Sequence, residues 1–242
     1  MRKYLVTPLL LLAGSLVGCA NFPGWQTVTG SGNAITEDRQ VSNFDGVSFS
    51  GGGELILLQG DEESLTIETD DNLLPLIKSE VRNGRLSVGP QNVNLKPTKS
   101  LRYQLKLKKL NDLESSGSAK VEANSIKTDR LALNISGSGE TKIGHLETQE
   151  LSTDISGSGS LSVAGRAESQ VISLSGSGSH HASDLKSSKV KAHISGSGHA
   201  SLWVTEILTA HISGSGSVQY RGNARVDSHI SGSGKVRQSD RE

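Results

Sequence analysis

Three histidines recur at one position of a repeated sequence pattern, and they are the residues best suited to chemistry. His193, His211 and His229 each stand two residues before a Ser-Gly-Ser-Gly motif. If successive motifs lie side by side as strands, these imidazoles are about 4.8 Å apart. After small rotamer changes they could share Zn²⁺ or Cu²⁺. They would also repel one another when protonated, which predicts a pH-sensitive surface.

The same position also has a purely structural interpretation. In three earlier copies it holds Asn134, Asp154 and Ser173, so the histidines could simply continue an exposed polar ladder. Three further histidines lie on the segments that follow the glycines: His180, His181 and His199. The sequence leaves open both a periplasmic metal- or pH-responsive protein and an inert polar face.

Cys19 is the only cysteine, and its surroundings indicate export. A basic start and a short apolar stretch precede it, which indicates a signal peptide over residues 1–18. Leu16-Val17-Gly18-Cys19 resembles the site cut by the bacterial lipoprotein signal peptidase, so we predict a lipidated Cys19 that anchors the chain in a membrane. Ala20 at the next position favours the outer membrane. Residues 19–38, which are polar and Gly-rich, are predicted to be the lipidated cysteine and a flexible tether.

The glycine-rich motif does not indicate an enzyme. Phosphate-binding loops open a helix, whereas here each motif leads into a strand-like segment. The chain has no GxSxG nucleophile motif. The repeat positions hold no matched pair of acidic residues, which most glycoside-cleaving enzymes require. We therefore predict no enzyme activity and no cofactor, and a polysaccharide-active β-helix enzyme is the alternative.

Composition narrows the class of partner. The formal net charge of +0 predicts no binding to nucleic acid. Aromatic residues make up 3% of the chain, which excludes a broad aromatic platform for sugars, although Trp203 and Tyr220 could form a small patch. A basic run could meet an anionic polymer or be the solvated face of one strand: Lys96, Lys99, Arg102, Lys106, Lys108 and Lys109.

The period of the motif predicts the fold. Six full copies follow a degenerate one at Ser116, at steps of 20, 20, 19, 20, 18 and 18 residues. This period suits one coil of a β-solenoid. Apolar and polar residues alternate on both sides of the motif, which predicts strand, turn and strand with one buried face. The residue before each full motif is apolar: Ile135, Ile155, Leu174, Ile194, Ile212 and Ile230.

Each motif supplies two glycines, which we predict to permit a sharp turn and a close approach between coils. These turn glycines are Gly137, Gly139, Gly157, Gly159, Gly176, Gly178, Gly196, Gly198, Gly214, Gly216, Gly232 and Gly234. The predicted fold is all-β: a right-handed parallel β-helix over residues 111–238 with coils of 18–20 residues, followed by a charged tail over 239–242.

Residues 39–110 lack the motif but carry strand patterns, and we predict an irregular β region that caps or begins the helix. Asn83-Gly84 is a strong hairpin signal. Gly60 to Glu63, between two apolar runs, predicts a second hairpin, and Asp70 to Asn72 predict a capped helical turn. Ser50 to Gly53 resembles a worn copy of the glycine turn.

These features together resemble the GIN domain family of adhesin-like head domains. The resemblance rests on the opening from Arg39 to Gly53, on Asp71-Asn72-Leu73-Leu74, on Asn83 to Leu86 and on the serial motifs, and it spans about residues 39–238. It implies a β-helical fold on secreted or lipid-anchored bacterial proteins, without an established activity.

The leading hypothesis is a non-catalytic cell-envelope lipoprotein whose β-solenoid presents a surface for adhesion, assembly or partner binding. Its predicted partners are the membrane, through the lipid anchor, and a protein or envelope polysaccharide that the sequence does not identify. A homo-oligomer is compatible with the sequence. The predicted location is the outer membrane, facing the periplasm or the cell surface.

Overall fold

A computed structural model describes residues 26–239 as a chain of strands with one short 3-10 turn, Leu74–Leu76. The strands are β1 Gln26–Thr29, β2 Ala34–Arg39, β3 Gly46–Gly51, β4 Glu54–Gln59, β5 Ser64–Asp70, β6 Ile77–Arg82, β7 Arg85–Pro90, β8 Val93–Lys96, β9 Arg102–Leu107, β10 Asp112–Gly117, β11 Lys120–Lys127, β12 Arg130–Gly137, β13 Glu140–Gly157, β14 Ser160–Gly176, β15 Ser179–Gly196, β16 His199–Gly214, β17 Ser217–Arg221, β18 Arg225–Gly232 and β19 Lys235–Gln238. The predicted signal peptide, Cys19 and the last three residues of the predicted tail lie outside the described residues.

From β10 onward the chain winds as a parallel β-solenoid, as predicted. In β13 buried and exposed residues alternate, and the alternation is interrupted by exposed pairs at 144–145 and 149–150. These interruptions bend the long strand into three flat sides per coil, which we call the first, second and third sides, counted from the end of each Ser-Gly-Ser-Gly motif. Each side pairs in parallel with the same side of the next coil.

The predicted apolar file before the motif is confirmed. Ile135, Ile155, Leu174, Ile194, Ile212 and Ile230 are register partners in succession on the third side. The first five are at most 3% exposed. Ile230 belongs to the last coil and is 43% exposed, because no described strand covers that coil.

The first glycine of each motif forms a corner that no other residue fits. At Gly176 φ is +109°, a region that disfavours every residue with a Cβ. A Cβ placed there would lie 2.7 Å from the carbonyl oxygen of Gly157, the same corner of the preceding coil. That carbonyl accepts a hydrogen bond of 2.9 Å from the N–H of Ser177, so the two corners cannot move apart without breaking this hydrogen bond between coils.

The second glycine makes room for the apolar file. A Cβ on Gly178 would lie 2.6 Å from Cγ2 of Ile155, and a Cβ on Gly216 would lie 2.5 Å from Cγ2 of Ile194. Because glycine has no side chain, each coil can pack closely against the branched side chain of the preceding coil. The two glycines have different tasks, a turn and a close contact.

The region before residue 110 begins the solenoid. β3 pairs in parallel with β10, and its register places Gly51 beside Gly117. The degenerate motif from Ser50 to Gly53 therefore provides the first glycine in the column of stacked corners. β4 pairs in parallel with β11 in the same way. The expected role of residues 39–110 is thus confirmed.

The same region also closes the end of the stack. β7 and β9 pair with the other edges of β3 and β4. Each is covered in turn by an antiparallel strand, β6 on β7 and β5 on β9. The β6–β7 hairpin turns at Asn83 and Gly84, both with positive φ, as the sequence predicted. These antiparallel strands cap this end of the parallel ladder.

The second predicted hairpin was wrong. β4 and β5 are consecutive in sequence, but β9 lies between them, parallel to β4 and antiparallel to β5. Asp70 to Asn72 precede a helical turn as expected, but no side chain caps it. The strand patterns of β4 and β5 were predicted correctly, but each strand pairs with the distant strand β9 and not with the other.

The predicted flexible tether over residues 19–38 was also wrong in its later part. β1 pairs in parallel with β8, and β2 pairs antiparallel with β5. The buried carboxylate of Asp70 fastens this segment, since it accepts hydrogen bonds from the N–H groups of Gly32 at 2.6 Å and Thr98 at 2.9 Å. Burial alone would raise the pKa of Asp70, but these bonds and one from the N–H of Lys99 hold the pKa below its ordinary value.

Substitution of a corner glycine should destabilise the whole stack. We expect Gly176→Ala to lower the free energy of unfolding by about 1–3 kcal/mol or more, because it adds a strained φ and a clash with Gly157. Gly60→Ala is the matched control, because nothing lies within 4 Å of its added Cβ. Denaturant unfolding followed by circular dichroism measures both. Equal losses in the two variants would contradict the assigned role of the corner.

Candidate functional site on the serine–histidine face

The outward surface of the third side carries two regular columns of polar side chains, which we call the serine–histidine face. One column holds the residues two positions before each motif: Asn134, Asp154, Ser173, His193, His211 and His229. The other holds the first serine of each motif: Ser136, Ser156, Ser175, Ser195, Ser213 and Ser231. The register that stacks the buried isoleucines also aligns these exposed columns.

The three histidines stack as the sequence predicted. The ring centroids of His193 and His211 are 5.0 Å apart with planes 4° from parallel. Those of His211 and His229 are 5.2 Å apart at 18°. The histidines and the neighbouring serines line a shallow concavity of about 490 Å³.

The stack does not converge on one ion. Within residues 26–239, no group of three or more His, Cys, Asp or Glu side chains is arranged to hold a metal. His193 and His229 are separated by a full coil, whereas Zn²⁺ binds imidazole nitrogen at about 2.0–2.1 Å. One ion shared by His193, His211 and His229 is therefore excluded by distance in this arrangement, and only neighbouring rings are close enough to share one.

His180 belongs to the core and not to a surface. It is 0% exposed and continues the inward column of Leu161 and Ala200 on the first side. Its Nε2 lies 3.2 Å from Oε1 of Gln170, and Nε2 of Gln170 donates to Oγ of Ser187 at 2.6 Å. Because Oε1 only accepts, His180 carries its proton on Nε2, which leaves its buried Nδ1 without a partner.

This buried network joins three sides across two successive coils. Gln170 lies on the third side of one coil, and His180 and Ser187 lie on the first and second sides of the next. Burial lowers the pKa of His180 to about 3, with a smaller contribution from His181. The network was not predicted from the sequence, although His180 stands two residues after Gly178, just as the buried Leu161 stands two residues after Gly159.

The other histidine pair is already engaged. The rings of His181 and His199 are 6.3 Å apart and tilted by 53°. Both ring nitrogens of His199 have partners, Ser217 Oγ at 2.8 Å and Ser201 Oγ at 3.0 Å. Desolvation, and then the neighbouring His181, lower the pKa of His199. His199 is therefore already hydrogen-bonded and is less available to a ligand than an exposed imidazole.

The proposed aromatic patch does not form. Tyr220 follows Leu202 in an inward column and packs partly against the core, whereas Trp203 points outward from the neighbouring column. The guanidinium of Arg221 lies 4.0 Å from the Trp203 ring centroid, and Nζ of Lys186 lies 5.7 Å from it. The two aromatic rings therefore do not share a surface, and cations from the two adjacent coils flank Trp203.

Half of the basic run, Arg102, Lys106 and Lys108, pairs with acidic side chains. Arg102 binds Glu54 at 3.1 Å and Lys106 binds Glu62 at 2.9 Å. The hydrogen bond from Arg102 is the main cause that lowers the pKa of Glu54, although desolvation opposes it. This pattern fits the solvated face of one strand rather than a patch for an anionic polymer.

The profile of a family described as "Putative auto-transporter adhesin, head GIN domain" matches residues 43–224. The chain belongs to this family. The resemblance found in the sequence is thereby confirmed. No curated protein matches the chain significantly.

Solved structures of similar proteins share this fold. A protein from Parabacteroides distasonis, named a putative lipid binding protein, is 27% identical with a TM-score of 0.74, over 89% of this chain and 100% of that one. A putative adhesin from Parabacteroides merdae is 25% identical with a TM-score of 0.72, over the same shares. A putative adhesin from Bacteroides fragilis, 24% identical over 88% of this chain and 100% of that one, has a TM-score of 0.83 and shows the fold alone.

The buried histidine should make the stack sensitive to acid. Its pKa falls from an ordinary 6.5 to about 3 on folding, so between these values only the unfolded chain binds the proton. Stability is then complete above pH 6.5 and decreases as the pH falls towards 3, by up to about 1.4 kcal/mol per pH unit. Urea unfolding between pH 7 and 5 measures this slope.

His180→Leu should lose most of the slope between pH 6.5 and 5, although it also breaks the bond to Gln170. His145→Leu is the control, because His145 is exposed on another coil of the solenoid. This substitution should leave the slope unchanged. An identical slope in wild type and His180→Leu would show that the buried imidazole does not govern acid stability.

Proposed function

We propose that this chain is a non-catalytic cell-envelope lipoprotein, anchored in the outer membrane through Cys19, whose solenoid presents the serine–histidine face to a protein or polysaccharide partner. The observation that carries the proposal is the regular exposure of that face. Inward residues fill the core and the glycines form the corners, whereas the outward serines and histidines have no comparable task in the fold.

The comparisons support the class of function. The family is described as "Putative auto-transporter adhesin, head GIN domain", and the similar solved structures are named as a putative adhesin and a putative lipid binding protein, not as enzymes. A name of this kind favours a surface-exposed envelope protein. No helix among residues 26–239 is long and apolar enough to cross a membrane. The proposed attachment therefore rests on the sequence around Cys19.

The geometry of the face suits adhesion by many weak contacts. Its side chains repeat at about 5 Å along a rigid sheet, so an extended polymer or strand can meet several equivalent groups at once. Linked weak contacts bind far more tightly than one of them alone. A catalytic site, by contrast, needs different groups that converge on one point.

A binding assay with matched variants tests the proposal. The purified full chain is passed over immobilised lipopolysaccharide, peptidoglycan, lipid vesicles and envelope protein extract, and retention is measured. We expect His193→Glu with Ser213→Glu, two changes on adjacent coils of the face, to weaken the retained interaction at least about tenfold, because each buried contact carries on the order of 1 kcal/mol.

His181→Glu with Ser201→Glu is the control, since it makes the same chemical changes on adjacent coils of the first side. It should leave retention within about twofold of wild type. Equal loss in both variants would contradict a binding role for the serine–histidine face. Release of reducing ends from a polysaccharide would contradict the proposal that the protein is non-catalytic.

A further inference from the structure

We propose that the last coil of the solenoid is a dimer interface, where β18 pairs antiparallel with β18 of a second copy of this chain around a two-fold axis. Within residues 26–239, β18 pairs with β16 on one edge and with no strand on the other. β19 likewise pairs only with β17 in this part of the chain. A free strand edge presents unpaired N–H and C=O groups to another chain. The proposal goes beyond the function proposed above and does not depend on it.

The core is open to solvent at this end and covered at the other. The inward residues of β16 on the third side are at most 2% exposed. Their register partners in the last coil are exposed or only partly buried: Val226, Ser228 and Ile230. At the opposite end, β5 and β6 cover the stack, and Leu86 and Val88 of β7 are buried. A second copy placed on the last coil would remove its apolar inward side chains from water.

Symmetry determines how two copies of this edge can meet. Residues directly opposite each other in an antiparallel pair project to the same face of the sheet. A two-fold axis perpendicular to the third side therefore brings inward residues of β18 opposite inward residues of the partner, and the two cores become continuous. With the axis at Ser228, Val226 lies opposite the partner's Ile230, and Ile230 lies opposite the partner's Val226.

Charge selects this register over its neighbours. With the axis at Ser228, Asp227 lies opposite the partner's His229, and an imidazole N–H can donate to the carboxylate. An axis at residue 227 would place two carboxylates opposite each other, which destabilises a cross-strand pair. An axis at residue 229 would place two histidines opposite each other and leave Asp227 opposite a serine. The side chains of His229 and Asp227 are 70% and 66% exposed, so both are accessible to a partner.

The heights of the three sides also fit this symmetry. The first side ends with β19, which lies on β17, whereas the second side ends with residues 222–224, which follow β17 directly. Among the described residues, the first side is therefore one strand taller than the second. A two-fold axis perpendicular to the third side exchanges the first and second sides. The taller side of each copy thus meets the shorter side of the other.

The assembly closes at two chains. An isologous interface uses the same patch on both subunits, so the dimer has no second copy of this edge to offer. Its outer ends carry the antiparallel strands, and β6 has exposed charged residues that discourage further strand pairing: Lys78, Glu80 and Arg82. Because the axis is perpendicular to the third side, the serine–histidine faces of both copies lie on the same side of the dimer.

Sedimentation velocity of the purified full chain over a series of concentrations tests the interface. We expect a monomer–dimer equilibrium with a dissociation constant below about 100 μM. Asp227→Lys should weaken the dimer at least about tenfold, because it makes two symmetry-related cross-strand pairs repulsive. Asp227→Lys combined with His229→Glu reverses both partners and should restore the dissociation constant to within about threefold of wild type.

Asp154→Lys is the matched control for the charge change. Asp154 is exposed on the serine–histidine face, but it lies on β13, several coils from the last one. Its substitution should leave the dissociation constant within about twofold of wild type.

A cysteine cross-link tests the position of the axis. If the axis passes at Ser228, the two Cα atoms of residue 228 lie about 4.5–5.5 Å apart, which a disulfide can span. Ser228→Cys should therefore give a covalent dimer on mild oxidation. Ser231→Cys is the control on the same strand, because its two copies would be roughly 20 Å apart. Wild type measures any background from Cys19.

Two results would overturn the proposal. One is a wild-type chain that remains monomeric at concentrations above about 100 μM. The other is a Ser228→Cys variant that cross-links no faster than Ser231→Cys. Circular dichroism spectra of all variants should match that of wild type, since each substituted side chain is exposed, and so exclude a loss of fold as the cause.

Discussion

The contact between the glycine corners of successive coils governs this molecule. At Gly176 the backbone turns with a φ of +109° where any Cβ would meet the carbonyl oxygen of Gly157. The same contact recurs at each step from Gly51 to Gly232. Because it leaves no room for a side chain or for a shift of one residue, it fixes the register of each coil on the one before it. A shift by one residue would turn every buried side chain outward.

A fixed register means that each position of the sequence becomes a column in space. The apolar residue before the motif becomes a buried file, and the second glycine receives its branched side chains, as Gly178 receives Ile155. The polar residue before that becomes an exposed ladder in which His193, His211 and His229 stack. Core and surface therefore follow from one constraint, and the surface inherits the regular spacing of the core.

The sequence predicted the features that recur with the motif, but outside the repeat it predicted only part of the structure, such as the hairpin at Asn83 and Gly84. The coil, the glycine corner, the apolar file and the histidine stack all follow from positions counted from one motif. The hairpin of β4 and β5 was wrong because β9 is inserted between them, and the segment around Gly32 was taken for a tether because its anchor, Asp70, lies 38 residues further on. Local pattern carries no information on such distant partners.

The buried polar network shows why a column must be followed through every coil. His180 replaces an apolar residue in a file where its neighbours are Leu161 and Ala200, and it is tolerated because Gln170 satisfies Nε2. On the outer face the same kind of substitution has no such cost, since water solvates an exposed imidazole. Selection for fold stability thus restricts the inner columns far more than the outer ones. The change from Asn134 and Asp154 to three successive histidines occurs where the fold is indifferent, which is where a binding surface can vary freely.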